Sequence, residues 1–219
     1  MSLALFMRLN TLSCSLVLLM GIAILWRHSL PAYIDSFRRQ SLFFVIGILT
    51  VAAYTREWEL YLVAVMVFAL KVVLIPRLLH RARKQIGADI EVRPFVNTEM
   101  SVLLAGVLTL LAYAVAQPIV ALSDLPTRGS IPLAFAVLFV GLFIVASRRS
   151  ALTQIVGFLV MENGIALLAV LATYGVPFIV EMGVFLDVLL GFLVMQVFLY
   201  RIRETFDTIN VDEMRKLKH

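Results

Sequence analysis

Three ionisable residues of this 219-residue chain lie inside strongly apolar runs. Glu162 stands in Phe158-Leu159-Val160-Met161-Glu162-Asn163-Gly164, Asp187 in Val184-Phe185-Leu186-Asp187-Val188-Leu189, and Lys71 in Ala69-Leu70-Lys71-Val72-Val73. A charged side chain at the centre of a bilayer costs about 2.5–3.5 kcal/mol even on the lenient insertion scale, so such residues face a protein interior or a wet cavity. A carboxyl too deep to reach water must be protonated, paired or beside internal water, and each state lets it bind and release a proton. Lys71, Glu162 and Asp187 are therefore candidates for a proton path. Each also has a plainer reading. Glu162 can simply hydrogen-bond a neighbouring helix. Asp187 can be a solvated anion near a helix N-terminus. Lys71 can be half of a structural interhelical pair, or snorkel toward Arg77.

No other chemistry is legible. The sequence holds one cysteine, Cys14, and three histidines, His28, His80 and His219, none at metal-ligand spacing. It shows no glycine-rich phosphate loop, no Ser/His/Asp set and no HExxH pattern. The expectation is a chain with no cofactor, no metal and no active site of its own.

The elements that must position these residues are membrane helices. The chain is 62% hydrophobic and 15% charged, with a mean hydropathy of +0.98. That is more apolar and less charged than a soluble domain, and implies lipid contact on most helix faces. The fold class expected is all-α, a polytopic membrane protein of about seven transmembrane helices. Runs of about 20 apolar residues place them at 3–26, 39–56, 58–80, 97–118, 131–147, 151–173 and 182–203. Pro31 falls in the first loop on this reading. Pro118, Pro126 and Pro132 bracket the loop after the fourth helix. Glu59 and Glu99 open the third and fourth helices, and Thr50 and Thr109 are satisfied by their own backbone.

Lysine and arginine are distributed unevenly between the two sets of loops. One set holds Arg27, Arg38, Arg39, Arg77, Arg81, Arg83, Lys84, Arg93, Arg148, Arg149, Arg201, Arg203, Arg215, Lys216 and Lys218. The other holds only Arg8, Arg56 and Arg128. The positive-inside rule then puts the N-terminus outside and the C-terminus in the cytoplasm. Basic residues that punctuate apolar runs are topology signals, not a nucleic-acid surface.

An internal repeat divides the chain. Arg38-Arg39-Gln40-Ser41-Leu42 through Gly47 aligns with Arg148-Arg149-Ser150-Ala151-Leu152 through Gly157, and further on Lys71 takes the place of Asp187. The expected organisation is a three-helix unit over 1–96 with a cytoplasmic basic loop, a spacer helix and outer loop over 97–130, a second three-helix unit over 131–203, and a cytoplasmic tail over 204–219. The two units run parallel because the spacer helix restores direction. Gly157 and Gly164 lie two turns apart on one face, where another helix can approach closely.

Several of these segments together resemble component E of hydrogenase-4, a membrane subunit of group 4 [NiFe] hydrogenases and formate hydrogenlyases. They are Gln154-Ile155-Val156-Gly157-Phe158, Met161-Glu162-Asn163-Gly164, Lys71-Val72-Val73-Leu74-Ile75-Pro76, and the tail Val211-Asp212-Glu213-Met214-Arg215-Lys216-Leu217-Lys218. The last three helices are also similar to subunit K of respiratory complex I and the C subunit of Mrp-type cation/proton antiporters. In that alignment the acid of the final helix falls on Asp187. The acid of the middle helix falls on Leu159, with Glu162 nearly one turn later on the same face. The resemblance implies a non-catalytic subunit of an oxidoreductase complex in a prokaryotic inner (cytoplasmic) membrane. Its implied partners are antiporter-like membrane subunits, the hydrogenase large and small subunits and other membrane-anchor subunits, with proton or Na⁺ translocation coupled to electron transfer in those partners. Two alternatives stay open: a non-conducting assembly subunit, and a stand-alone transporter of a small ion.

Overall fold

The computed structural model describes residues 1–86 and 95–173. Among them every regular element is helical, and six helices are long and apolar enough to cross a membrane: Leu3–Leu25, Leu30–Thr55, Trp58–Arg81, Thr98–Leu122, Arg128–Ser147 and Leu152–Thr173. The protein is an all-α polytopic membrane protein. The expected seventh span, 182–203, and the tail 204–219 lie outside the described residues.

Helix α1 (Leu3–Leu25) starts at Ser2, whose hydroxyl accepts the Leu5 amide at 3.4 Å. Helix α2 covers Leu30–Thr55. It begins nine residues before the expected 39, and Pro31 lies in its first turn instead of in a loop. The reason is local. Proline in a first turn has no amide to leave unbonded and a φ already set for helix, whereas hydropathy sees only the apolar part of the helix. Arg38 and Arg39 are consequently exposed residues of the helix interior. The helix ends at Arg56 in a left-handed conformation, φ 61°, with the Arg56 amide donating to the Ala52 carbonyl at 2.8 Å.

The third span is continuous but not uniform. Helix α3 (Trp58–Val67) passes into a π-helical segment, Phe68–Leu74, and then into α4 (Ile75–Ile86). The Ile75 amide donates to the Leu70 carbonyl, five residues back. Pro76 follows at once. Proline has no amide to donate and its ring collides with the carbonyl four residues earlier, so a widened turn beside it relieves the ladder.

Helix α5 (Thr98–Leu122) is capped by Asn97, which accepts the Met100 amide at 3.0 Å. Pro118 lies inside this helix, where a loop boundary was expected. Only Ser101, Ala105, Ala112 and Ala116 of α5 are buried, a small-residue stripe that lies against α6. A short 3₁₀ turn, Arg128–Ser130, leads into α6 (Ile131–Ser147) and extends that otherwise short span. Helix α7 covers Ala151–Thr173, the expected range.

Helices α1, α2 and the third span pack together, and α6 pairs with α7. The two groups meet where α1 touches α6 and α2 touches α7. The α6–α7 pair is close because glycines alternate across it. A Cβ on Gly157 would stand 2.7 Å from Ile144 Cγ2, and one on Gly164 2.5 Å from the Leu138 nitrogen. Side chains such as Leu12, Leu19, Val65, Leu103 and Leu110 point outward, as lipid contact requires.

Candidate functional site: a buried ion pair where the two helix groups meet

Lys71 and Glu162 form an ion pair inside this interface, with side chains 0% and 2% exposed. Lys71 is carried by the π-helical segment and Glu162 by the middle of α7. Glu162 stands midway between Ala151 and Thr173, about 16 Å of helical rise from either end. Neither side chain is exposed, and Lys71 is turned to Glu162 instead of snorkelling toward Arg77.

Asparagine and glutamine complete the surroundings. Lys71 Nζ also donates to Asn163 Oδ1 at 2.8 Å. Asn163 Nδ2 donates to Gln40 Oε1 at 3.2 Å and to Ser41 Oγ at 3.3 Å. Gln40 Nε2 donates to the Val17 carbonyl of α1 at 3.2 Å. Gln40, Ser41 and Asn163 are each fully buried. The Phe44 ring lies 5.5 Å from Lys71 Nζ, within the range of a cation–π contact. The site therefore draws on α1, α2, the third span and α7. An ammonium, a carboxylate and three neutral polar side chains share one low-dielectric space, where charges are held by fixed dipoles and not by water.

Of the three candidates from sequence, Lys71 and Glu162 come together here. Asp187 lies outside the described residues. Gln40, Ser41 and Asn163 are additional members that buried-charge reasoning passed over, since none is ionisable. A faint signal existed: Gln40-Ser41 interrupts the apolar pattern just after Arg38-Arg39, and Asn163 is the polar neighbour of Glu162. Pro76 was the sequence sign of the π turn. Thr50 and Thr109 donate to the Ile46 and Ala105 carbonyls, both at 2.8 Å, as expected. Glu59 and Glu99 lie in the first turns of α3 and α5.

A second buried cation stands at the end of α1. Arg148, 1% exposed, donates through Nη2 to the Leu25 carbonyl at 3.3 Å and lies 5.9 Å from the Tyr33 ring. It covers the C-terminus of α1, where the helix dipole favours a cation. The neighbouring Arg149 is exposed and sits 4.4 Å from the Phe95 ring. Among the described residues no group of His, Cys, Asp and Glu is placed to hold a metal ion.

Comparison with known proteins locates the chain. An uncharacterized protein of Mycobacterium tuberculosis is 37% identical over 203 residues, 92% of each chain. Hydrogenase-4 component E of Escherichia coli K12 is 28% identical over 179 residues, 82% of this chain and 83% of the relative, and that of Shigella flexneri matches equally. No family model and no solved structure matches. Near-full-length similarity on both sides, together with the helical membrane fold, places this chain in one family with the M. tuberculosis protein and makes it a homologue of hydrogenase-4 component E.

Proposed function

We propose that this chain is a membrane-arm subunit of an energy-converting hydrogenase or complex I-like assembly, and that Lys71 and Glu162 lie on its path for protons or Na⁺. The observation that carries this reading is the ion pair buried between the two helix groups, midway along α7. Acids and bases held at that depth are expensive and belong to ion pathways far more often than to packing alone. Electron transfer belongs to partner subunits, and the name of the E. coli relative supports a hydrogenase as that partner. Asp187 continues the path in the last helix on this reading.

The chemistry is a change of partner. A proton delivered to the Glu162 carboxylate cancels its charge and leaves the Lys71 ammonium held by Asn163 Oδ1. Loss of that proton restores the pair. Because an uncompensated buried charge is strongly disfavoured, a charge arriving in a neighbouring subunit biases which state is occupied. Each three-helix unit contributes one member of the pair, which suits a site that responds to movement between them. We place the N-terminus outside and the C-terminus in the cytoplasm of a prokaryotic inner membrane, in accord with the lysine and arginine bias.

The test has two stages. The tagged chain is solubilised from native membranes in mild detergent and its companions are identified by mass spectrometry. Recovery with hydrogenase large and small subunits and antiporter-like membrane chains is expected; recovery alone or as a homo-oligomer sinks the assignment and favours a stand-alone transporter. Glu162→Gln is then introduced into the complex. Loss of coupled proton movement in vesicles, with assembly retained, is the expected result.

A second reading has one observation behind it. The network is fully buried and bonded, which also suits a role confined to fixing helix packing, as in a non-conducting assembly subunit. Under that reading Glu162→Gln impairs assembly and leaves transport in the assembled fraction intact.

A further inference from the structure

The Val17 carbonyl is the fixed point of a chain of side-chain amides. A carbonyl only accepts hydrogen bonds, so Gln40 must present Nε2 to it. That orientation turns Gln40 Oε1 toward α7, where only a donor suits it, and Asn163 supplies Nδ2. Asn163 Oδ1 is thereby left facing Lys71 Nζ. Reversing either amide would set two donors or two acceptors against each other in a fully buried space, at the cost of an unsatisfied polar group. The direction of the whole chain is thus set by a backbone atom of α1, two side chains away from the ion pair.

Gly21 gives an independent indication. A Cβ at this position would meet Gln40 Nε2 at 2.9 Å, while its next neighbours, Val160 Cγ1 and Val140 Cγ1, lie at 3.8 and 3.9 Å. Helix α1 is bare at the place where the Gln40 amide crosses to it. Glycine in a helix interior is about 0.8–1.0 kcal/mol less favourable than alanine, so the vacancy has a cost that the crossing explains.

We propose that Gln40 and Asn163 are positioning residues for the Lys71–Glu162 pair: an oriented amide chain anchored on the Val17 carbonyl keeps the Lys71 ammonium docked on α7, so that Glu162 is the member that exchanges its proton. The role of Glu162 in this statement rests on the proton-path reading above. The docking of Lys71 by the amides does not.

The chain has four lysines, Lys71, Lys84, Lys216 and Lys218, so lysine labelled with ¹⁵N at Nζ yields few signals, and Lys71→Arg assigns the buried one. The full-length protein in lipid nanodiscs is compared with Gly21→Ala and Gln40→Leu. In both variants the Lys71 Nζ resonance is expected to move and its protons to exchange with water about tenfold faster, the equivalent of one lost hydrogen bond. Gly21→Ala touches neither Lys71 nor Asn163 and replaces a helical glycine, so it keeps its fold even if Gln40→Leu does not. Gly106→Ala, with nothing within 4 Å of its Cβ, is expected to leave the Lys71 signal unchanged. An unaltered Lys71 signal in folded Gly21→Ala protein overturns the proposal. Faster exchange there, combined with transport that survives Glu162→Gln, overturns the assignment of proton exchange to Glu162 and leaves the docking in place.

Discussion

Lys71 and Glu162 stand 91 positions apart in the chain and share one buried ion pair. Lys71 sits on the only π-helical segment among the described residues, which ends two residues before Pro76. A proline-relieved turn and a mid-membrane charge thus occur together, and π turns of this kind are frequent at functional sites.

The pair is expected to behave as a unit. Lys71→Met or Glu162→Gln alone leaves one buried charge without its counter-charge, at a cost of about 3–5 kcal/mol. The double variant restores most of the loss, because neither charge remains. Thermal unfolding of the four proteins in one detergent gives the coupling energy. Strictly additive losses would contradict a direct interaction between the two residues.

Close approach of α6 and α7 is expected to depend on their glycines. Gly157→Ala or Gly164→Ala drives a methyl into Ile144 or the Leu138 backbone, and overpacking of this sort costs about 1–3 kcal/mol. Gly106→Ala, on the open side of α5, should be neutral or stabilising by up to about 1 kcal/mol. Melting temperatures of the three variants decide the matter; equal effects at all three positions would rule out the tight α6–α7 contact.

The adjacent arginines are expected to differ. Arg148→Gln removes the buried donor to the Leu25 carbonyl and the cation beside Tyr33, and a loss of about 1.5–3 kcal/mol follows for a charged hydrogen bond. Arg149→Gln removes an exposed contact with Phe95 and costs about 0.5–1 kcal/mol. Their unfolding midpoints should therefore separate clearly, although the sequence presents them as equivalent.

Orientation is open to direct labelling. Cys14 is fully buried, so a Cys14→Ser background is clean. Cysteines placed at the exposed positions Glu57 and Gly129 are expected to react with a membrane-impermeant thiol reagent added outside intact cells. Cysteines at His28 and Arg149 should react only after the cells are opened. The reverse pattern would invert the topology drawn from the arginine and lysine bias.

The amino-acid sequence by itself determined the class of this protein. Long apolar runs must be helices, because lipid offers no partner for an unbonded backbone group, so the six spans among the described residues and most of their positions follow from local composition. The sequence also singled out Lys71 and Glu162, since an ionisable residue in such a run is conspicuous wherever it comes to lie. Local hydropathy was less informative at helix ends: α2 extends nine residues beyond its apolar stretch, because Pro31 and the amphipathic turns after it are helical without being lipid-soluble. Pairing was beyond its reach. Which faces of α2, the third span and α7 meet is decided by packing between helices far apart in the chain, with Lys71 carried by the π-helical segment. Gln40, Ser41 and Asn163 carry no charge and look like ordinary polar residues in one dimension. Only the tertiary structure places them against Lys71, where the low dielectric of the interior makes their fixed dipoles strong.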